Sequence, residues 1–378
     1  MGKSTNKTVL ILGGYGNFGK RITESLCSQA QARLLVAGRN LKKAESLVQM
    51  LQPSAKAALE AVRLDILAAD FESQLIQLSP DIVIHTCGPF QGQDYRVPSA
   101  CIQAKAHYID LADDRRFVCD IEQLDDLAKA NSVLLISGAS SVPGLSSVVV
   151  DHYRDQFQSI ESLDIAIAPG NQAERGEATV RAILSYTGKR FSVFSQGKWQ
   201  DIYGWMNARK VDFGGVLGKR WLANVDVPDL ELFQSRYSVN KEVRFQAGLE
   251  LSVLHLTMVG MAYLVKKKLV KNWSPLTKLI VATSNLFLPF GTDQGGMKID
   301  INGTSNSGEL KSVQWTLFAE DGVGPYIPTL STIIIAKKLL NEEMNETGAK
   351  PCLGLYFLEE FMPYADELKL YFEEVIVG

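Results

Sequence analysis

The stretch Thr8-Val9-Leu10-Ile11-Leu12-Gly13-Gly14-Tyr15-Gly16-Asn17-Phe18-Gly19 decides the fold of the first part of this chain. After Thr8 it is continuously apolar to Leu12, as a parallel strand covered on both faces must be. Gly14-x-Gly16-x-x-Gly19 follows without a gap and leads into Phe18, Ile22 and Leu26, apolar at four-residue spacing. A G-x-G-x-x-G spacing acquires a mechanism only in that strand-to-helix context. Gly14 permits the tight turn, Gly16 lets a pyrophosphate approach the backbone, and Gly19 lets helix and strand pack closely. The N–H groups at the helix start then face the phosphates. Gly13, Gly14, Tyr15, Gly16, Asn17, Phe18 and Gly19 are therefore the candidate dinucleotide-binding loop. The competing reading is a purely structural glycine turn.

Working outward, Leu34-Leu35-Val36-Ala37 is the next strand, and Leu41, Ala44, Leu47, Val48 and Leu51 line one face of a second helix. Val62-Arg63-Leu64 ends a third strand at Asp65, Asp81 to Thr86 makes a fourth, and Val133 to Ile136 a later one. This alternation predicts right-handed crossovers and an α/β fold, a Rossmann doubly wound parallel sheet. Ligands of such sheets bind beyond the carboxyl ends of the strands. The second strand ends in Ala37-Gly38-Arg39-Asn40, with Lys43 a helical turn later. A site for NAD usually places Asp or Glu there, whereas a guanidinium pairs with a ribose 2′-phosphate. The sequence thus favours NADP over NAD, with Arg39 as the main ligand and Asn40 and Lys43 in support. The alternative for Arg39 is a solvated side chain at a helix start. Asp65 is a candidate for the adenine edge or an N-cap.

Cys87-Gly88-Pro89-Phe90 follows the fourth strand, where a Gly-Pro turn lets a nicotinamide ring approach and Phe90 packs against it. His107 to Asp113 alternates as a strand and ends in carboxylates. Tyr108, Asp110 and Asp113 are the candidates for placing a substrate amine or carbonyl. Asp110 and Asp113 equally suit helix capping before Phe117. Gly138 to Gly144, rich in small side chains, reads as a flexible crossing and the hinge out of the cofactor domain.

The chain's 378 residues exceed what one core usually serves. The expected division is 1–142 as the nucleotide-binding domain, 143–325 as a mixed α/β substrate and dimerisation domain, and 326–378 as a helical segment returning to the first domain. A net charge of −3 and no basic stripe exclude a nucleic-acid partner. The five cysteines hold no C-x-x-C pair, which suits reduced thiols in a cytoplasm. The four histidines show no ligand spacing, so no metal is expected. The run Val9 to Leu12 is too short for a signal peptide. Gly2-Lys3-Ser4-Thr5 lacks the upstream glycine and strand of a Walker A loop. Tyr263 and Lys267 have a short-chain dehydrogenase spacing, but they lie in a late apolar segment.

In the second half, Leu163, Ile165 and Ile167 alternate as a strand, and Phe191 to Ile202 reads as a hairpin around Gln196-Gly197. Val243 to Leu249 is a further strand. Met297 to Ile301 and Val313 to Leu317 form an antiparallel hairpin. A helix from Thr329 to Met344 is expected to return to the cofactor domain. Arg175, Glu177 and Tyr326 are the candidate substrate contacts. Leu249 to Phe290 is unusually apolar but short for a spanning helix, and it carries Lys266-Lys267-Lys268. Buried core helices or a dimer interface are the favoured account. The other is a peripheral membrane surface with the lysines at anionic lipid heads.

The loop Gly13 to Gly19, the Ala37-Gly38-Arg39-Asn40 segment, the run Asp81 to Phe90, His107 to Asp113 and Ser137 to Ser147 together resemble the NADP-binding domain of the saccharopine dehydrogenase family. The likeness covers about the first 150 residues. The remainder is nearer to the bacterial saccharopine dehydrogenase-like proteins than to the lysine-pathway enzymes. The resemblance implies a second mixed α/β domain, often dimeric, and NADP-dependent hydride transfer at a C–N bond, between amine and imine, or at a carbonyl. Members that bind α-amino-dicarboxylates use clustered basic residues for the carboxylates, and no such cluster is legible here. Two other readings stand beside it: a non-catalytic NADP-binding redox sensor or scaffold, and a membrane-surface reductase of a lipid-like substrate.

Overall fold

Continuous apolar runs separated by one helix each leave little choice of arrangement, and the computed structural model, which describes residues 6–378, has the sheet they require. The strands are β1 (Lys7–Leu12), β2 (Ala32–Gly38), β3 (Ala58–Arg63), β4 (Ile82–His85), β5 (His107–Asp110) and β6 (Leu134–Ser137). A late strand, Gly348–Pro351, pairs parallel with β6. The resulting seven-stranded sheet has the order Gly348–Pro351, β6, β5, β4, β1, β2, β3, and every pairing in it is parallel. The order reverses at β1, whose Leu12 is in register with Ala37 of β2 on one side and His85 of β4 on the other. That reversal opens a crevice at the carboxyl edge, where such sheets bind ligands. Leu10, Leu12, Leu35, Val83, Tyr108 and Leu135 fill one buried cluster of the core. Each such apolar side chain contributes about 1.5–3 kcal/mol over leaving it in water.

Two units divide the chain. The first runs to Leu145 and takes back Tyr326–Tyr356; the second comprises Ser146–Pro325 and Phe357–Gly378. The segment 326–378 is therefore split. Its helix (Ile327–Leu340) and the strand Gly348–Pro351 lie in the first unit, while Tyr371–Val377 pairs with Leu310–Ala319 in the second. The stretch Gly138 to Gly144, which its composition suggests is a flexible crossing, is buried at every residue. Ser331 Oγ donates to the Ser140 carbonyl at 2.9 Å and Thr332 Oγ1 to that of Ala139 at 2.7 Å. A Cβ on Gly144 would sit 2.7 Å from Ser331 Oγ. Small residues serve close packing there.

The second unit is built on a mixed seven-stranded sheet, ordered Arg209–Asp212, Lys219–Asn224, Glu242–Ala247, Phe157–Ala168, Gly295–Ser305, Leu310–Ala319, Tyr371–Val377. Only Glu242–Ala247 and Phe157–Ala168 run parallel; the other neighbours are antiparallel. The hairpin Arg190–Ser195 with Lys198–Tyr203 stands as a separate ribbon, turned by Gln196 and Gly197, both at positive φ.

The apolar region 249–290, expected as buried core helices or a dimer interface, is not buried core within the chain. In the helix Ser252–Lys266 only His255, Met258, Ala262 and Val265 are buried, one stripe of an otherwise apolar cylinder. The helix Thr277–Asn285 buries only Thr277. Among the described residues no helix is long and apolar enough to cross a membrane. Gly2-Lys3-Ser4-Thr5 lies outside the described residues. The five cysteines form no disulfide.

Candidate active site at the carboxyl edge of the parallel sheet

The loop after β1 is held from three sides. Gly13, at φ +76°, and Gly14 donate to the Ala37 carbonyl at 2.9 and 3.0 Å, and Gly16 donates back to the Gly13 carbonyl at 2.7 Å. A Cβ on Gly13 would meet Thr86 Oγ1 at 2.7 Å, and one on Gly14 would meet Val36 Cγ1 at 2.9 Å. At Gly19 a Cβ would lie 2.2 Å from the Gly13 carbonyl oxygen and 2.8 Å from Gly14 Cα, backbone that has nowhere to go. Gly16 is different: its Cβ would touch only the Gly13 oxygen, at 3.0 Å, so packing alone does not require glycine there.

Gly16 is also the N-cap of α1 (Asn17–Leu26) and brings no side-chain acceptor to the first turn, which contains no acid. The next helix, α2 (Leu41–Leu51), is capped by Asn40, whose Oδ1 accepts from Lys43 N at 3.2 Å. The contrast matters because helix starts ordinarily satisfy their orphan N–H groups with a Ser, Thr, Asp or Asn side chain. The start of α1 has the charge preference for an anion and the glycine that lets one approach.

At the end of β2 the Tyr15 ring covers Gly38, where a Cβ would fall 2.5 Å from it, and the phenol oxygen accepts from Asn40 N at 2.8 Å. Asn40 thus serves backbone geometry on both sides. Arg39 and Lys43 are exposed, and their side chains make no hydrogen bond or ion pair with any described residue. Across the crevice, burial pushes the Cys87 thiol up to about 12, while the Arg39 guanidinium draws it down and the Asp65 carboxylate raises it. Asp65 accepts from Leu67 N at 3.1 Å, a local turn contact.

After β4, Thr86 Oγ1 donates to the Leu12 carbonyl at 2.8 Å and ties the two central strands together at their ends. Gln93 Nε2 donates to the carbonyls of Cys87 and Pro89 at 2.8 and 2.7 Å, which fixes the Cys87-Gly88-Pro89 turn. Phe90 is buried between His85 and Phe117, with ring centroids 5.0 and 5.2 Å away. Tyr108 and Asp110 are fully enclosed. The Tyr108 hydroxyl meets His85 Nδ1 at 3.0 Å, and burial holds that imidazole neutral, at about 3. Asp110 Oδ1 accepts from Gly138 N (2.8 Å), Ala112 N (2.9 Å) and Ser137 Oγ (3.0 Å), so it joins the ends of β5 and β6. Burial nonetheless lifts its carboxyl to about 6, partly offset by those donors. Helix capping before Phe117 falls to Asp114, which accepts from Phe117 N at 2.9 Å. Asp113 is left half-buried, accepting from Gln91 Nε2 at 3.1 Å, with burial raising its carboxyl.

The raised carboxyl of Asp110 has a measurable consequence. The folded state holds its proton more tightly than the ordinary 3.8, so its favourable contribution is present below about 4 and is lost as pH rises through about 6. A two-unit shift corresponds to about 3 kcal/mol. Asp110→Asn, which cannot ionise, should gain stability relative to the parent by about that amount between pH 4 and pH 7. Urea unfolding at each pH checks this, and a constant difference would mean that Asp110 ionises as freely folded as unfolded.

The substrate candidates do not converge. Arg175 is half-buried in the second unit with its guanidinium on the Asn171 carbonyl and Oδ1. Glu177 pairs with Arg181 one helical turn on, at 2.9 Å. Tyr326 belongs to the first unit, where its ring lies under the Arg21 guanidinium at 4.9 Å and its hydroxyl donates to Glu24 at 3.2 Å. The second unit does contain a basic cluster that sequence reasoning missed. Beside a polar cavity of about 380 Å3, Arg209 pairs with Asp164 at 2.6 Å and Arg244 with Glu242, also at 2.6 Å. These residues come from three strands far apart in sequence, and both guanidiniums are already spent on carboxylates. Thr86, Gln91 and Gln93 were also missed, because one hydroxyl or amide in a loop carries no spacing signal. Among the described residues no three His, Cys, Asp or Glu side chains gather as a metal site.

Residues 9–135 match the model of the saccharopine dehydrogenase NADP binding domain. That match spans about a third of the chain and lies wholly within the first unit. The matched residues include the glycine loop and most of the parallel sheet, and the family's name suggests NAD or NADP as the ligand of such a domain. Over nearly the whole chain, the fold is similar to apo saccharopine dehydrogenase (L-Glu forming) from Saccharomyces cerevisiae, with a TM-score of 0.71 at 13% identity, covering 98% of this chain and 100% of that one. At that identity the likeness is one of fold. A probable dehydrogenase from Thermotoga maritima matches at TM-score 0.45 and 10% identity, covering 94% and 92% of the two chains. A short-chain dehydrogenase from Sphingobium yanoikuyae in complex with NADPH matches at 0.27 and 15%, covering 35% of this chain and 71% of that one. No curated protein sequence matches the chain.

Proposed function

We propose that this protein is an NADP-dependent oxidoreductase that transfers hydride at a C–N bond, between amine and imine, or at a carbonyl, of a small molecule. The observation that carries the reading is Arg39, exposed and unpaired among the described residues at the end of β2, beside a helix start with no side-chain cap. In this reading the backbone from Gly13 to Phe18 holds the pyrophosphate, and Arg39 with Lys43 holds the 2′-phosphate. Bound NADP would supply the hydride chemistry. Gln93 and the turn Cys87 to Pro89 keep the backbone in place where the nicotinamide end would lie. Tyr108 and Asp110, sealed in the core, position that edge without touching substrate. Asp113, half-buried and held by Gln91, is the carboxyl suited to move a proton at the substrate nitrogen or oxygen. The resemblance to saccharopine dehydrogenases supports the C–N assignment by analogy of fold.

The test is transfer of deuterium from NADPH labelled at C4 into a panel of cyclic and open imines, with ketones in parallel. Label in a reduced product is expected, and its absence across the panel despite tight NADPH binding would leave a cofactor sensor or scaffold as the better account. A reducing, cytoplasmic setting suits the five unpaired thiols. A homodimer through the second unit is part of the proposal. Its edge strand Tyr371–Val377 is exposed along its length and carries Phe372, Val375 and Ile376 beside Glu373 and Glu374. Light scattering at micromolar concentration should give twice the chain mass of 41.7 kDa, and a monomer would end that part of it.

A further inference from the structure

The surface formed by residues 251–292 of the second unit is apolar where it should be polar. A helix whose inner stripe is packed ordinarily turns charged residues outward. The helix Ser252–Lys266 instead presents Val253 and Leu256 to solvent. Beyond it Leu269, Leu279, Leu286 and Phe290 are each between 63% and 74% exposed. Single exposed leucines are normal, but a run of them from consecutive elements marks a surface made to be covered.

The charges on the same stretch say what covers it. From Leu251 to Thr292 there is no Asp or Glu, while Lys266, Lys267, Lys268, Lys271 and Lys278 are all present and all exposed. The nearest acid before it, Glu250, is taken up by Arg220 and by the N–H groups of Asn171 and Thr292. Two of the lysines lie over aromatic rings, Lys266 over Tyr203 at 4.3 Å and Lys267 over Tyr263 at 5.5 Å. A second copy of this chain, meeting the face about a two-fold axis, would set five lysines against the same five. An anionic lipid surface answers both features at once, taking the leucines and Phe290 into the headgroup and acyl boundary and the ammonium groups onto its phosphates and carboxylates.

We propose that residues 251–292 are a docking face for the surface of an anionic phospholipid bilayer, on which the protein lies without spanning it. The inference rests on this face alone and stands whatever the crevice of the first unit catalyses.

The experiment is co-sedimentation of the full chain with vesicles of phosphatidylcholine alone and of phosphatidylcholine with about one-third phosphatidylserine. Binding to the anionic vesicles that weakens with salt, and little to the neutral ones, is expected. Lys267→Glu, Lys268→Glu and Lys271→Glu together should lower partitioning on the order of a hundredfold. Leu279→Asp with Leu286→Asp should abolish it. All five positions are exposed, so unchanged NADPH titration and thermal unfolding should show that both variants remain folded. Equal binding to neutral and anionic vesicles would overturn the proposal, as would binding to neither. A dimer that Leu279→Asp splits would also overturn it and assign the face to a second copy.

Discussion

Replacing Arg39 with Ala should cost about a hundredfold in NADPH affinity and leave NADH affinity within a factor of about three. Two charge-assisted hydrogen bonds to a phosphate are each worth about 1.5–3 kcal/mol at best, part of which is lost to solvent exposure. The loss should be selective because NADH carries no 2′-phosphate for the guanidinium to hold. Arg39 is exposed and its side chain makes no hydrogen bond or ion pair with a described residue, so stability should change little. Fluorescence titration of both nucleotides against both proteins measures the effect. Equal losses for NADPH and NADH would assign Arg39 to the shared part of the cofactor.

The second large effect separates two glycines of one motif. Gly19→Ala should destabilise the first unit by about 3 kcal/mol or more, because the new Cβ would fall 2.2 Å from the Gly13 carbonyl oxygen. Alanine's advantage over glycine inside a helix, about 1 kcal/mol, is too small to offset that overlap. Gly16→Ala should cost much less stability than Gly19→Ala, since its φ is −76° and only the Gly13 oxygen stands near, at 3.0 Å, where a small shift relieves the contact. Its Cβ would instead occupy the side from which the pyrophosphate approaches, so nucleotide affinity should fall at least tenfold. Urea unfolding and NADPH titration of both variants are decisive. A Gly16→Ala protein that binds as the parent does would make the loop a structural turn.

How much of this was readable beforehand depends on how local the cause is. The strand β1, its glycine loop and the start of α1 are set by consecutive residues, and a single reading frame exposes them. The parallel order follows from alternation plus the handedness of crossovers. Positions that depend on a partner distant in sequence were not readable. Gly138 to Gly144 has a loop's composition, yet it is buried because Ser331 and Thr332 close over it from the helix Ile327–Leu340. The division of 326–378 between units needed the pairing of Gly348–Pro351 with β6, four residues with no pattern of their own. Asp110 and Asp113 were the residues that suited a cap, and the structure gives the cap to Asp114 instead. Leu249 to Phe290 reads as core because hydropathy records what a side chain is and not which side of a helix is covered.

The central claim is that the crevice at β1 takes NADP in preference to NAD. Calorimetric titration of the unmodified protein with NADPH and with NADH tests it most directly. The account predicts saturable one-to-one binding of NADPH at least tenfold tighter than NADH. Tighter binding of NADH, or binding of neither, would contradict it.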